Sequence, residues 1–139
     1  MYDISNAAFE LMEETSWQAV PVELDNDDYI NMIKKGIRRL YIDTGRAELF
    51  DPERYIEEGS AVYYDEEFLV DEEEYILKCA EIAFFKKVQT DVNNIVGYTT
   101  DALQVTNADK PYANLKNTID DYDNERRIIY YKMVRYNLE

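Results

Sequence analysis

The sequence contains no histidine, one cysteine, four glycines and three prolines among its 139 residues. Each scarcity narrows what the chain can do. Without histidine it lacks the side chain most used for proton transfer near neutral pH and for holding transition metals. The lone Cys79 cannot form an internal disulfide, which predicts an intracellular protein. The glycines are scattered and build no phosphate-cradling loop. No hydrophobic run is long enough to span a membrane. The opening residues, MYDISNAAFELMEE, have neither the basic segment nor the apolar stretch of a secretory leader. Basic residues are also few: 15 against 30 acidic ones, for a formal net charge of −15. A chain with that balance is self-repelling and does not bind nucleic acid through its overall field.

What is present is apolar, aromatic and acidic. Hydrophobic residues make up 46 %, enough for a modest core, and the length suits one domain. Thirteen of the aromatics are tyrosine, whose apolar body and polar tip suit either the edges of a small core or an interface. The acid is concentrated. Between Arg54 and Lys78 lie nine carboxylates (Glu57, Glu58, Asp65, Glu66, Glu67, Asp71, Glu72, Glu73 and Glu74) and no basic residue. Arg126, Arg127, Lys132 and Arg135 form a small basic cluster near the other end. Solvated helix faces are the commonest origin of such patches.

Hydrophobic period places the helices. The first runs from Ser5 to about Ser16, with Ala8, Leu11 and Met12 on one side. Pro21 interrupts, and Asp25 to Asp28 offer cap residues and negative charge for a second helix from about Asp27 to Asp43. Ile30, Ile33, Ile37 and Leu40 form its apolar stripe, and Gly45 is its expected stop. Gly36 lies inside this helix at an expected cost of about 1 kcal/mol relative to alanine, which a close helix crossing would explain. Residues 46–70 are less legible: a short turn after Pro52, then AVYYDEEFLV as an extended piece or hairpin.

A third helix starts with Asp71 as the expected N-cap and Glu74 completing the box, and continues to Gly97. The last starts at Pro111, and Tyr112, Leu115, Ile119, Tyr122, Arg126, Ile129 and Met133 form a seam of nearly coiled-coil spacing, with Arg126 its polar exception. The expected architecture is all-α: a small helical bundle whose two longest helices pair antiparallel across an extended polar arm, residues 98–111, followed by a C-terminal tail from about Tyr130. From Thr99 to Asp109 the arm holds only Leu103 and Val105 as sizeable apolar groups. Together they contribute a few kcal/mol at about 25 cal/mol per Å². Ordering the backbone costs roughly 1 kcal/mol or more per residue, so the arm is expected to order against a partner.

Catalysis finds little to stand on. Cys79 falls on the apolar face of the third helix, as a buried structural thiol does. DNDDYINMIKKG lacks the glycine and distal glutamate of a calcium loop. DEEE at 71–74 is explained by helix-start electrostatics. No cofactor, metal site or enzymatic turnover is expected.

Three stretches together resemble a known family. DDYINMIKKGIRRLYIDTGR (Asp27–Arg46) is similar to the early helix, EEYILKCAEIAFFKKVQTDVN (Glu73–Asn93) to the long central helix, and YTTDALQVTNADKPYANLKNTIDDYDNE (Tyr98–Glu125) to the polar arm and following helix of the head-to-tail connector (adaptor) proteins of long-tailed bacteriophages. The likeness does not extend to Phe50–Val70. It implies a structural virion protein at the capsid–tail junction. Copies would form a homo-oligomeric ring, usually of twelve, between the portal protein and the next tail-proximal connector, with DNA passing through without specific binding. It implies that Tyr130, Tyr131, Lys132, Arg135, Tyr136 and Leu138 engage the portal, and that Thr100, Leu103, Val105 and Thr106 contact a neighbouring subunit or line the channel. Ile129 and Met133 suit core or interface equally. The alternative is an acidic DNA mimic that inhibits a nucleic-acid-binding enzyme.

Overall fold

In chain order the computed structural model, which describes residues 1–98 and 110–137, forms β1 (Tyr2–Asp3), α1 (Ile4–Glu14), α2 (Asn26–Asp43), β2 (Tyr55–Glu58), β3 (Ala61–Tyr64), α3 (Val70–Tyr98) and α4 (Leu115–Asn137). Short 3-10 turns lie at Ala47–Leu49, Pro52–Arg54 and Lys110–Tyr112.

Local chemistry sets the helix ends. Asp3 caps α1 by accepting from Asn6 N–H at 3.0 Å. Asp25 caps α2 with a full reciprocal box: its side chain accepts from Asp28 N–H, and the Asp28 carboxylate accepts from Asp25 N–H, each at 2.9 Å. Gly45, at φ 74°, closes α2 as expected. Gly45 N–H bonds Ile42 O at 3.1 Å and Arg46 N–H bonds Tyr41 O at 2.8 Å, the pattern of a Schellman stop. The start of α3 differs from expectation by two residues. Glu72 Oε1, not Glu74, reaches back, accepting from Leu69 N–H at 2.9 Å, so Asp71 lies within the first turn. Likewise α4 starts at Leu115 instead of Pro111. Pro111 is held in the preceding 3-10 turn, and Asn114 O accepts the first helical bond from Thr118 N–H at 2.9 Å.

The all-α expectation is corrected by a small antiparallel sheet in the order β1-β3-β2. Glu58 pairs with Ala61 across the two-residue loop Gly59–Ser60, and Gly59 takes the positive φ that such tight hairpins ask of their first loop residue. On its other edge β3 pairs with β1, Tyr2 opposite Tyr64. The cause is aromatic burial. Tyr64 is fully buried, with the rings of Phe50 (6.2 Å) and Phe68 (5.9 Å) stacked on it and Tyr55 edge-on at 5.1 Å. Such pairs add about 0.5–1.5 kcal/mol each beyond area burial. Many of the tyrosines thus serve the core: Tyr29, Tyr41, Tyr64 and Tyr75 are all buried.

One core joins the elements. Ile4 and Leu11 of α1, Ile33, Ile37 and Leu40 of α2, and Tyr75, Ile76 and Phe85 of α3 are all fully buried. Each such side chain contributes about 1.5–3 kcal/mol relative to exposure. The expected close crossing is at Gly36. A methyl group built there would collide with Ile76 O and lie 3.2 Å from both Ile76 C and Cγ2, so only glycine lets α2 approach α3. The expected antiparallel pairing of the two longest helices is also found. Tyr75 meets Arg126 and Tyr130, Lys78 meets Tyr122 and Glu125, and Phe85 meets Tyr122, so the partner number falls as α3 rises.

Candidate partner-binding surfaces

The end of α4 is where the sequence places partner contacts, and the helix divides it into two faces. Leu115, Ile129 and Met133 are buried, while Tyr112, Ile119 and Tyr122 are half-buried against the core. This assigns Ile129 and Met133 to the core. Tyr130 turns the same way, half-buried with its ring 6.5 Å from that of Tyr75. Outward at steps of three and four lie Ile128 (57 % exposed), Tyr131 (68 % exposed), Lys132 and Arg135. Lys132 and Arg135 form no ion pair among the described residues.

The tail segment from Tyr130 is helical as far as Asn137, and Met133 carries the buried seam into it. Of the six tail residues named from sequence, the structure thus brings Tyr131, Lys132 and Arg135 to one exposed face and folds Tyr130 inward. The side chain of Tyr136 and the whole of Leu138 lie outside the described residues, as do the arm residues Thr100, Leu103, Val105 and Thr106.

The basic cluster read near the chain's end is divided. Arg126, the polar exception on the seam, turns inward. Its guanidinium donates to Asp123 Oδ1 at 2.9 Å and to the Tyr75 hydroxyl at 2.8 Å, with Asp43 Oδ2 3.6 Å away. The Tyr75 hydroxyl in turn donates to Asp43 Oδ2, and Arg39 holds the other Asp43 oxygen at 2.7 Å. The Asp123 carboxyl is held below its ordinary range, first by its hydrogen bond from Arg126. Arg127 pairs with Asp123 at 3.1 Å from outside.

Sequence reasoning missed a second surface. Lys34, Lys35, Arg38 and Arg39 of α2, Lys86 and Lys87 of α3, and Arg126 of α4, seven of the fifteen basic residues, line adjoining concavities. The larger concentration of charge surrounds a cavity of about 490 Å³, floored by Ile42, Cys79, Ile82 and Ala83. The signal was in plain view as the doublets of IKKGIRRL and FFKKV, but their convergence depends on how α2 crosses α3. The acidic stretch 57–74 lies elsewhere, on the hairpin and the start of α3, where among the described residues only Glu66 (to Arg54, 3.0 Å) and Glu72 (to Arg46, 2.9 Å) pair with side-chain cations.

Two groups with chemical potential are set for structure. Cys79 is 8 % exposed, and burial pushes its thiol up to about 12, which leaves it protonated and a poor nucleophile. Glu81 is at least as buried by exposure, and desolvation raises its carboxyl above the usual range, with Lys78 only partly opposing at 3.4 Å. Among the described residues no helix is long and apolar enough to cross a membrane. The chain matches no known family model, no curated protein and no solved structure.

Proposed function

We propose that this chain is a structural assembly protein, a head-to-tail adaptor whose copies form a ring beneath a phage portal and surround the DNA channel, without catalytic turnover. The observation that carries the reading is the outer face of α4. Ile128, Tyr131, Lys132 and Arg135 form an exposed aromatic and basic stripe on a helix whose opposite face is already buried. Tyrosine and arginine are the side chains that most often dominate interface energy. A helix rigidly seated on α3 presents them at little entropic cost. The net charge of −15 suits a channel wall along which DNA slides without sticking. The protonated thiol of Cys79 supports a role without covalent chemistry. The DNA-mimic alternative is disfavoured by Lys35, Arg38 and Lys86, exposed together and without ion pairs among the described residues, for which a mimic has no use.

The test is a double substitution, Tyr131→Ala with Arg135→Glu. Removing residues 130–139 is the poorer choice, because it takes Met133 and Tyr130 out of the packed seam. The substituted protein is expected to keep its helical circular dichroism and to lose attachment to portal-bearing capsids by at least about tenfold. Capsids carrying the folded variant at normal occupancy would remove α4 as the anchor.

A further inference from the structure

The basic concavity has a complement on the same molecule. Its floor is apolar and its rim is cationic but for Asp123, which Arg126 and Arg127 pair. Lys35, Arg38 and Lys86 on that rim are exposed and form no ion pair among the described residues. The start of α3 has the opposite character. Leu69 is 70 % exposed and Val70 73 %, an apolar knob set among the carboxylates of Glu67, Asp71, Glu73 and Glu74.

The two surfaces cannot meet within one chain. At about 3.6 residues per turn, Val70, Glu73, Glu74 and Leu77 share one side of α3, while Cys79, Ile82, Ala83 and Lys86 share the other. The knob and the cavity floor are also separated along the helix: from Val70 to Ile82 is roughly 18 Å at 1.5 Å per residue. The subunit is therefore polar: acidic with an exposed apolar pair at Leu69–Val70 on one side, basic and concave on the other.

We infer that the basic concavity receives the acidic Leu69–Val70 knob of a second copy of this chain, the apolar pair seated over Ile42, Ile82 and Ala83 and the flanking carboxylates against Lys35, Arg38 and Lys86. Because donor and acceptor surfaces differ, the contact is heterologous, and its repetition builds a ring or an open filament. Opposite charge fixes which side meets which and speeds the encounter. This inference builds on the ring reading above and names the surfaces that would close it.

The experiment uses two full-length variants followed by sedimentation velocity at low ionic strength. One carries Lys35→Glu, Arg38→Glu and Lys86→Glu, which disables the concavity. The other carries Val70→Lys, Glu73→Lys and Glu74→Lys, which disables the knob. All six positions are on the surface, and circular dichroism checks that both variants stay helical. Wild type is expected to self-associate with concentration and to lose that association at least about tenfold as salt is raised. Each variant alone is expected to be monomeric. Their mixture is expected to associate where each variant alone does not, since one intact knob and one intact concavity remain to pair and the two reversed surfaces are again opposite in charge. A wild type that stays monomeric overturns both this inference and the ring reading. Rings that survive either triple substitution overturn the inference alone. Binding of a duplex oligonucleotide that the concavity variant loses, with no contact between copies, reassigns the face to nucleic acid and likewise overturns it. Charge-dependent self-association in a protein that does not engage portal-bearing capsids retires the adaptor reading and leaves the interface standing.

Discussion

Arg126 of α4 donates to the Tyr75 hydroxyl of α3 at 2.8 Å, and that hydroxyl donates onward to Asp43 at the end of α2. One phenol thus ties three helices at a single point. The guanidinium is a side chain that a hydrophobic seam would reject if it were unpaired, and here Asp123, Tyr75 and Asp43 surround it. Tyr75→Phe is expected to cost about 1–3 kcal/mol by urea unfolding, because it leaves Asp43 and Arg126 short of a partner. Combined with Arg126→Met it should cost clearly less than the sum of the two single changes. Additive effects would show that the three groups act separately.

Gly36→Ala normally favours a helix by about 1 kcal/mol. Here the added methyl meets the Ile76 carbonyl of the crossing helix, a backbone atom with no rotamer to yield. The substitution is expected to lower stability by about 1–3 kcal/mol, as overpacking does. A raised urea midpoint would show that the crossing is looser than described.

Glu81 provides a pH signature. Its folded carboxyl is raised by burial above the ordinary value of 4.5, while Lys78 opposes the rise and Glu14 and Glu125 add to it. Between the unfolded and the raised folded value, the native state binds the extra proton. Stability therefore increases as pH falls into that window and decreases as pH rises through it. Glu81→Gln removes the titration. In urea titrations taken from neutral pH down to the ordinary carboxylate value, wild type should gain stability relative to the variant. A constant difference between the two would deny that burial raises the Glu81 carboxyl.

Cys79 should not react with a thiol reagent in the folded protein at neutral pH, since its thiol is buried and its ionisation is pushed up to about 12. Unfolding in urea should release it. Cys79→Ser is expected to lower stability by no more than about 1–3 kcal/mol. A biochemical activity abolished by that change in a folded protein would overturn the assembly role.

Much of the framework was legible because its causes are local. The Asp25–Asp28 box, the Gly45 stop and the stripe Ile30–Ile33–Ile37–Leu40 act within a few residues of themselves, and α2 falls where they place it. The hairpin was open to two readings because its reasons are distant. Tyr64 is a strand residue since Tyr2 pairs with it and Phe50, Tyr55 and Phe68 enclose its ring. On the candidate surface, spacing alone could not separate Tyr130 from Tyr131, neighbours in sequence of which one faces Tyr75 and the other faces outward.

By itself the sequence determined the charge of −15, the lack of histidine, the existence of four helices and the polar place of Arg126 on an apolar seam. Those follow from composition and from periodicity, which is a property of one helix at a time. The tertiary structure decided that Arg126 would meet Tyr75 of α3 and Asp43 of α2 besides Asp123 of its own helix, and that Lys35 and Arg38 would meet Lys86 across an apolar floor. Period tells which residues share a face. Which faces meet is set by where helices cross, and here that depends on the missing side chain of Gly36 against the backbone of Ile76.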